Sequence, residues 1–590
     1  MSLSRPRKIL CILCAAALSV FTVAVEHVRT SGGWQFSGAQ QLLTSGLQAL
    51  TYTIVFILLW KLIARFDKSA EKSAEADDSQ KILCRWNARS VLLTSLLLFA
   101  LYLPYLLVFF PGVGSMDTTN QIKDFITGTM PIEISWNPGE PLISCFLNDH
   151  HPVTDTFLFV LFTEGLGRFV GRTMGVFLYC CTQAAATAVT LSVMLCRMER
   201  LAIPYKYRRA GMWFLGLCPF ISLYAIGMLK DSVFSLFFVW YFLTYVDICR
   251  EGAASGRLFR LIVLSLILAL TKKTGVYLII LSNLALILLS GVRKRFAAWA
   301  LSFVLPAFIV LMLLPKVIFP LTNIFQGGSQ ESLGFAMQMV ARTYLDHGEE
   351  LTDAEIQTID SIMEVDKIEE CYSAYNYDEV KHLFNFYATP AQLSDFKQLW
   401  LRLFVRYPSS GIKALMGTAG GFFSPTETVR VYYEFAHSDY VQVDNPEVLA
   451  PARKAFQTWY KWISNLPGIG ILFQCVLYLW WLPLISLLRV IVMKRDDAAP
   501  AINTILCYVP IAVSVLILVA SPYSMGRYGL PQFYTIPLVL GLSSLSSNRP
   551  PLPADETPLP TDQTPLPADQ TPLPTDQTPL LLEAEESSEK

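Results

Sequence analysis

Residues 153–170 read Val-Thr-Asp-Thr-Phe-Leu-Phe-Val-Leu-Phe-Thr-Glu-Gly-Leu-Gly-Arg-Phe-Val, an apolar run interrupted by Asp155, Glu164 and Arg168. How this run meets a bilayer decides the topology of everything after it. If it crosses, the loop with Arg197, Arg200, Lys206, Arg208 and Arg209 faces outward. If it is a re-entrant or lateral helix, that loop faces the cytoplasm, where short loops collect Lys and Arg. The second choice also places Arg250, Arg257 and Arg260, then Arg293, Lys294 and Arg295, then Lys494 and Arg495 inside. One assumption settles every loop, and it agrees with a cytoplasmic start at the basic Ser4-Arg5-Pro6-Arg7-Lys8 tail.

The composition sets the class. Of 590 residues, 53% are hydrophobic and only 16% charged, against about 25% charged in soluble domains. Mean hydropathy is +0.43. These values exclude an ordinary cytosolic enzyme, and a net charge of −1 gives no bulk attraction to nucleic acid. The twelve cysteines are scattered, with a single CxxC at Cys11 and Cys14 inside an apolar run, so neither a disulfide framework nor a zinc site is indicated. Cys145 and Cys371 both fall in outer segments, but nothing in the sequence pairs them.

A spanning helix needs roughly 20 largely apolar residues. Such stretches lie at about 9–25, 47–64, 91–110, 174–196, 211–228, 232–249, 257–271, 274–291, 297–318, 468–493, 502–520 and 529–546. The expected fold is an all-α polytopic membrane protein of about twelve spans with both termini cytoplasmic. A re-entrant or lateral helix sits in the first large outer loop, and a mostly helical extracytoplasmic domain follows later. The divisions are a two-span hairpin and cytoplasmic linker (1–90), a membrane module (91–318) with outer loop 111–173, an outer domain (319–467), three further spans (468–546) and a tail (547–590). The linker at 66–88 is mixed in charge and reads as solvated. In the outer domain, Phe396, Leu399, Trp400, Leu403 and Phe404 share one face of a helix over 392–407, suited to lying on a membrane surface. The tail repeats PLPADET-type heptads from Pro551, and two prolines per repeat forbid helix, leaving a polyproline-like spacer.

With this orientation the outer face should be poor in Lys and Arg. Its short connections nonetheless hold Lys230-Asp231, Lys272-Lys273 and Arg527, each at the outer end of an apolar span. Ionisable groups there are costly and are paired or functional. Convergence of several cations on an anion such as a phosphate is weighed against snorkelling to the headgroups and a local Lys230–Asp231 pair. The first outer loop adds Asp117 within Pro111-Gly112-Val113-Gly114-Ser115-Met116-Asp117-Thr118-Thr119-Asn120-Gln121, a pattern that also suits a helix start. Leu147-Asn148-Asp149-His150-His151-Pro152 follows, with two of only six histidines side by side. Adjacent histidines diverge on regular elements, so their spacing implies no metal pair. No Walker-type loop and no GxSxG elbow is present.

The PGxxxxDTxxQ loop (Pro111–Gln121), His150-His151-Pro152, Lys230-Asp231 and the Arg527-Tyr528-x-x-Pro531 entry to a late span resemble the GT-C superfamily. These are polytopic glycosyltransferases that use polyprenyl-phosphate sugar donors, and the likeness is to a bacterial branch of them. It covers about 90–295 and 525–531. The resemblance implies an inverting transfer at the outer face of a bacterial plasma membrane, with a lipid-linked sugar donor and an envelope glycan, lipid or protein acceptor. It implies Asp117 as catalytic base or metal-linked carboxylate. Lys272, Lys273 and Arg527 would hold the phosphate, Lys230 and Asp231 would shape the site, and His150 and His151 would hydrogen-bond the donor. Asp117-Thr118 stands where many relatives have a second acid, which leaves a divalent metal open. The rival readings are a transporter or flippase for lipid-linked saccharides, which would show midplane broken helices and repeats, and a non-catalytic assembly or sensor protein, whose acid and lysine clusters would lie far apart.

Overall fold

The computed structural model describes residues 5–33, 38–74, 81–130, 143–326, 330–493 and 498–545. The repeat tail, Lys494, Arg495 and linker positions 75–80 lie outside them. The chain is mostly helical, with strands of two residues only. Among the described residues, six helices are long and apolar enough to cross a membrane: Ile9–Ser31, Ala39–Ala70, Ala88–Val108, Arg172–Arg200, Lys230–Glu251 and Phe296–Leu321. Shorter apolar helices cover Gly275–Leu288, Leu477–Val492 and Ile502–Leu518.

Burial separates these helices physically. Only 11% of the apolar window in Ala39–Ala70 is buried against protein, whereas 89% is buried in Lys230–Glu251. An apolar helix that protein leaves uncovered needs an apolar solvent, because water would not tolerate Leu43, Leu47, Leu58 and Leu62 so exposed. Lys230–Glu251 is instead the axis of the main core. Phe238, Tyr241, Phe242 and Tyr245 are fully buried there, and it packs against Arg172–Arg200, Ser255–Thr271 and Leu530–Ser543.

Several local expectations change. The stretch at 211–228 is not one helix. Tyr205–Leu217 ends at Cys218, and Pro219 opens a second helix, Pro219–Ala225, because proline supplies no amide to continue the ladder. Residues 153–170 are helical throughout, with a π-helical turn at Leu161–Leu166, and Gly171 at φ 86° turns the chain into Arg172–Arg200. The linker is not wholly solvated: the second helix runs to Ala74, and Asp67 is buried against Arg489 and Tyr207.

The helix Pro390–Arg406, capped by Thr389 and Gln392, does not offer its Phe396–Leu399–Leu403 face to a membrane. Those side chains bury against Met337, Val340, Ile359 and Met363 in a core of their own. Residues 419–473 behave differently, since Val429, Val431, Phe435 and Tyr460 belong to the main core.

Candidate functional site

Two loops that leave different helices are joined by short backbone pairing. Val113 and Gly114 pair in parallel with Gly227 and Met228. Gly112 adopts φ 140° and lies so close to Cys180 that a Cβ would collide with its sulfur, so only glycine fits this turn. A Cβ on Gly114 would meet the Phe435 ring at 2.7 Å. Residues 434–436 complete the contact, with Gly114 N donating to Glu434 O at 3.3 Å and Ala436 N to Gly114 O at 3.2 Å. Just beyond the pairing, Thr118 Oγ1 donates to Met228 O at 2.6 Å. The first turn of Met116–Thr127, with Asp117, is thereby set against the first turn of Lys230–Glu251, with Lys230 and Asp231.

Four connections then meet in one ion network. Asp117 Oδ2 receives Lys230 Nζ at 3.0 Å and Arg527 Nη2 at 2.7 Å. Arg527 Nε lies 3.3 Å from Asp231 Oδ2, and Lys272 Nζ donates to Asp231 Oδ1 at 2.6 Å. Lys272 comes from the end of Ser255–Thr271 and Arg527 from the turn Gly526–Gly529. The cations also rest on aromatic rings. Lys272 is 4.9 Å from the Tyr528 centroid, and the Arg527 guanidinium is 5.3 Å from it, a further electrostatic stabilisation. Arg527 Nη1 donates to Tyr432 Oη at 3.0 Å.

The histidines divide. Lys230 Nζ donates to His151 Nδ1 at 2.9 Å, so that nitrogen is the acceptor and the proton sits on Nε2. Burial, reinforced by the Lys230 charge, keeps His151 neutral by lowering its pKa. His150 turns to a second tier, 3.7 Å from Glu331. Lys381 joins Glu331 at 2.9 Å and Asp378 at 2.6 Å. Lys273 also sits in this outer tier, paired with Asp149 at 2.9 Å and 44% exposed at its side chain.

The electrostatics of the inner cluster are uneven. Lys230, Lys272 and Arg527 face Asp117 and Asp231, three cations against two carboxylates. A third acid, Asp155, is 1% exposed, and among the described residues neither of its oxygens has a hydrogen-bond partner. Burial raises its pKa well above the ordinary carboxylate value. Burial also pushes Asp117 upward, but Lys230 and Arg527 more than reverse this and hold it well below the usual range. In its ion pairs the inner cluster thus sets three cations against two carboxylates, and it sits at two helix N-termini that favour anions. Among the described residues, no group of three or more His, Cys, Asp or Glu side chains is placed to hold a metal ion. Asp117 and Asp231 already have ammonium and guanidinium partners where a divalent cation would need them, so this donor set does not fit a metal.

All eight residues singled out from the sequence thus fall in one neighbourhood. Asp117, His151, Lys230, Asp231, Lys272 and Arg527 are in the inner cluster, with His150 and Lys273 beside it. Sequence reading did not single out Tyr432, Glu331 or Lys381. Asp155 was visible only as a misplaced charge in an apolar run. No curated protein and no solved structure matches the chain. A family model does, over residues 4–551, described as a family of unknown function, and the chain belongs to that family, DUF6020.

Proposed function

We propose that the chain is a multi-pass glycosyltransferase of the bacterial plasma membrane. It transfers a sugar from a polyprenyl-phosphate donor to an envelope glycan, lipid or protein at the outer face. The observation that carries this reading is the inner cluster, where an acid and a surplus of positive charge from four separate connections meet at one end of an apolar helical bundle. A lipid-linked donor accounts for a phosphate site at that depth.

In the reaction, an acceptor hydroxyl attacks the anomeric carbon and the bond from that carbon to phosphate breaks, inverting the centre. Asp117 takes the hydroxyl proton. Lys272 and Arg527 meet the charge that develops on the departing phosphate. Paired as it is, Asp117 is a weak base. A phosphate drawn to Arg527 and Lys230 competes for the same cations and loosens their hold on Asp117, so donor binding raises its basicity where the acceptor needs it. Lys230 and Asp231 orient these groups, and neutral His151 offers Nε2–H to the donor.

Twelve spans fit this reading. The six long helices are joined by 205–225, Ser255–Thr271, Gly275–Leu288, Leu477–Val492, Ile502–Leu518 and Leu530–Ser543, with 153–170 lateral or re-entrant and both termini cytoplasmic. The wide separation of acid and lysines expected of a non-catalytic assembly protein is not found, since Lys230 and Asp117 stand 3.0 Å apart.

The test is product analysis by mass spectrometry of envelope glycans and glycolipids, with and without the protein and with Asp117→Asn. A new glycosidic bond that disappears in the variant is expected. Relocation of a lipid-linked saccharide with no new bond would identify a flippase and overturn the proposal.

A further inference from the structure

A second polar site lies where the first two helices meet the segment 417–427. A cavity of about 550 Å³ is lined by Glu26 and Arg29 of Arg5–Ser31, by Gln41 and Gln48 of Ala39–Ala74, and by Tyr375 and Glu427. This is within the range of roughly 300–1,000 Å³ typical of small-molecule sites. The sequence on both helices prepares it. Gln41, Thr44, Ser45 and Gln48 line it from one helix, and Val23, Glu26, His27 and Thr30 from the other. Each set follows the i, i+3, i+4, i+7 spacing of one helical face. Flanking Leu42, Leu43, Leu47 and Leu50 are exposed, as befits a lipid-facing helix. Gln41 Nε2 stands 3.4 Å from His27 Nδ1 across the gap between the two helices, and the polar stripe borders a cavity.

The walls are held in place from the other side. Ser424 Oγ donates to Glu26 Oε1 at 2.7 Å and Tyr52 Oη to Oε2 at 3.2 Å. Arg29 Nη1 donates to Glu427 Oε1 at 2.9 Å, and Tyr375 Oη to Arg29 O at 2.7 Å. Two carboxylates against one guanidinium repel a phosphate. Amides and hydroxyls that both donate and accept suit a ligand dense in hydroxyl groups. The same segment joins the turn that carries Arg527, since Ser524 Oγ donates to Thr418 O at 2.6 Å and Gly421 N donates to Ser524 Oγ at 3.0 Å.

We infer that this cavity is a binding site for a non-anionic saccharide, neutral or amine-bearing, separate from the phosphate-type cluster. The inference does not rest on the transferase reading. It is tested with the purified full chain in nanodiscs, titrated calorimetrically with maltotriose, chitotriose, chitosan trimer and inorganic phosphate. Saturable binding of at least one trisaccharide is expected, in the native chain and equally in Asp117→Asn. Gln48→Leu, at an exposed position, and Glu427→Gln should each weaken that binding about tenfold, the value of one lost hydrogen bond to a ligand. Stronger loss for the amine-bearing trimer in Glu427→Gln would place a cationic sugar there. Absence of trisaccharide binding, binding unchanged in Gln48→Leu, or phosphate binding that is sensitive to Glu427→Gln would each overturn the inference.

Discussion

The two ends of the helix Lys230–Glu251 carry charge in opposite ways. Its 22 residues span about 33 Å at 1.5 Å per residue, close to the thickness of a hydrocarbon core. At the C-terminal end, Arg197 Nη2 bridges Asp247 at 3.0 Å and Glu251 at 2.9 Å, and Arg257 pairs with Glu251. Two cations meet two acids, and the side chains of Asp247 and Glu251 are only 5% and 10% exposed. At the N-terminal end, three cations meet two acids, Asp117 keeps 29% of its side chain exposed, and Asp155 stands buried beside them without a partner. A neutral, closed network explains itself as structure. At the N-terminal end the cations outnumber the carboxylates they pair with and the network stays partly open, an asymmetry more typical of functional charges than of structural ones.

The sharpest way to break this comparison is to neutralise one acid at each end. On the transferase reading, Asp117→Asn should lower sugar transfer of the folded protein by about 10³-fold, within the range for loss of a general base. Asp247→Asn, at the far end of the helix, should leave turnover of the folded protein intact. Comparable activity loss in both variants would erase the distinction.

Arg197→Met tests the closed end more severely. It strands buried Asp247 and leaves Glu251 to Arg257 alone, and breaking such a buried pair typically costs about 3–5 kcal/mol. Unfolding in detergent should therefore begin at a much lower temperature, and donor affinity of the surviving protein should not move.

The adjacent lysines sharpen the open end. Lys272 is the 2.6 Å partner of Asp231, which is 1% exposed, whereas Lys273 serves an outer pair and is 44% exposed at its side chain. Lys272→Met should reduce kcat/KM about 100-fold, near the lower end of the effect of uncovering a buried charge. Lys273→Met should change it less than about fivefold, as for an exposed ion pair. Equal effects would mean that the phosphate contacts both, as the sequence alone allowed.

That pair also illustrates what the sequence could disclose. Lysines and an arginine at the tips of apolar helices have few stable homes, so their positions alone pointed to a shared cluster, and Asp117, Lys230 and Asp231 were legible by the same logic. Which of two neighbouring lysines faces inward depends on the turn at Lys272–Gly275, which no hydropathy pattern encodes. Tyr432, Glu331 and Lys381 come from segments where tyrosine and charge are ordinary, so nothing marked them until packing placed them. In the fold, the long apolar helices were legible from length and composition. The break at Cys218–Pro219 was signalled by proline but obscured by the apolar residues around it. The amphipathic face at Phe396, Leu399 and Leu403 read equally well as membrane-facing or as core, because periodicity identifies an apolar face and not what covers it.

The smallest expected effect concerns Asp155. Burial raises its pKa, so folding opposes its ionisation. Stability from such a group is fully present below the unfolded pKa, near 3.9, and is lost as pH rises through the folded value. Asp155→Asn keeps the shape and removes the titration. The variant should therefore match the native chain below about pH 4 and gain about 1–2 °C in thermal midpoint at pH 7–8. Transfer should change less than threefold, since the amide keeps the shape of the acid and the three cations keep their partners. A loss of stability at pH 7, or a collapse of transfer, would show instead that Asp155 is ionised and belongs among the charges that balance Lys230 and Lys272. The inner cluster would then be neutral, like the far end of the helix, and the surplus charge that distinguishes the two ends would vanish.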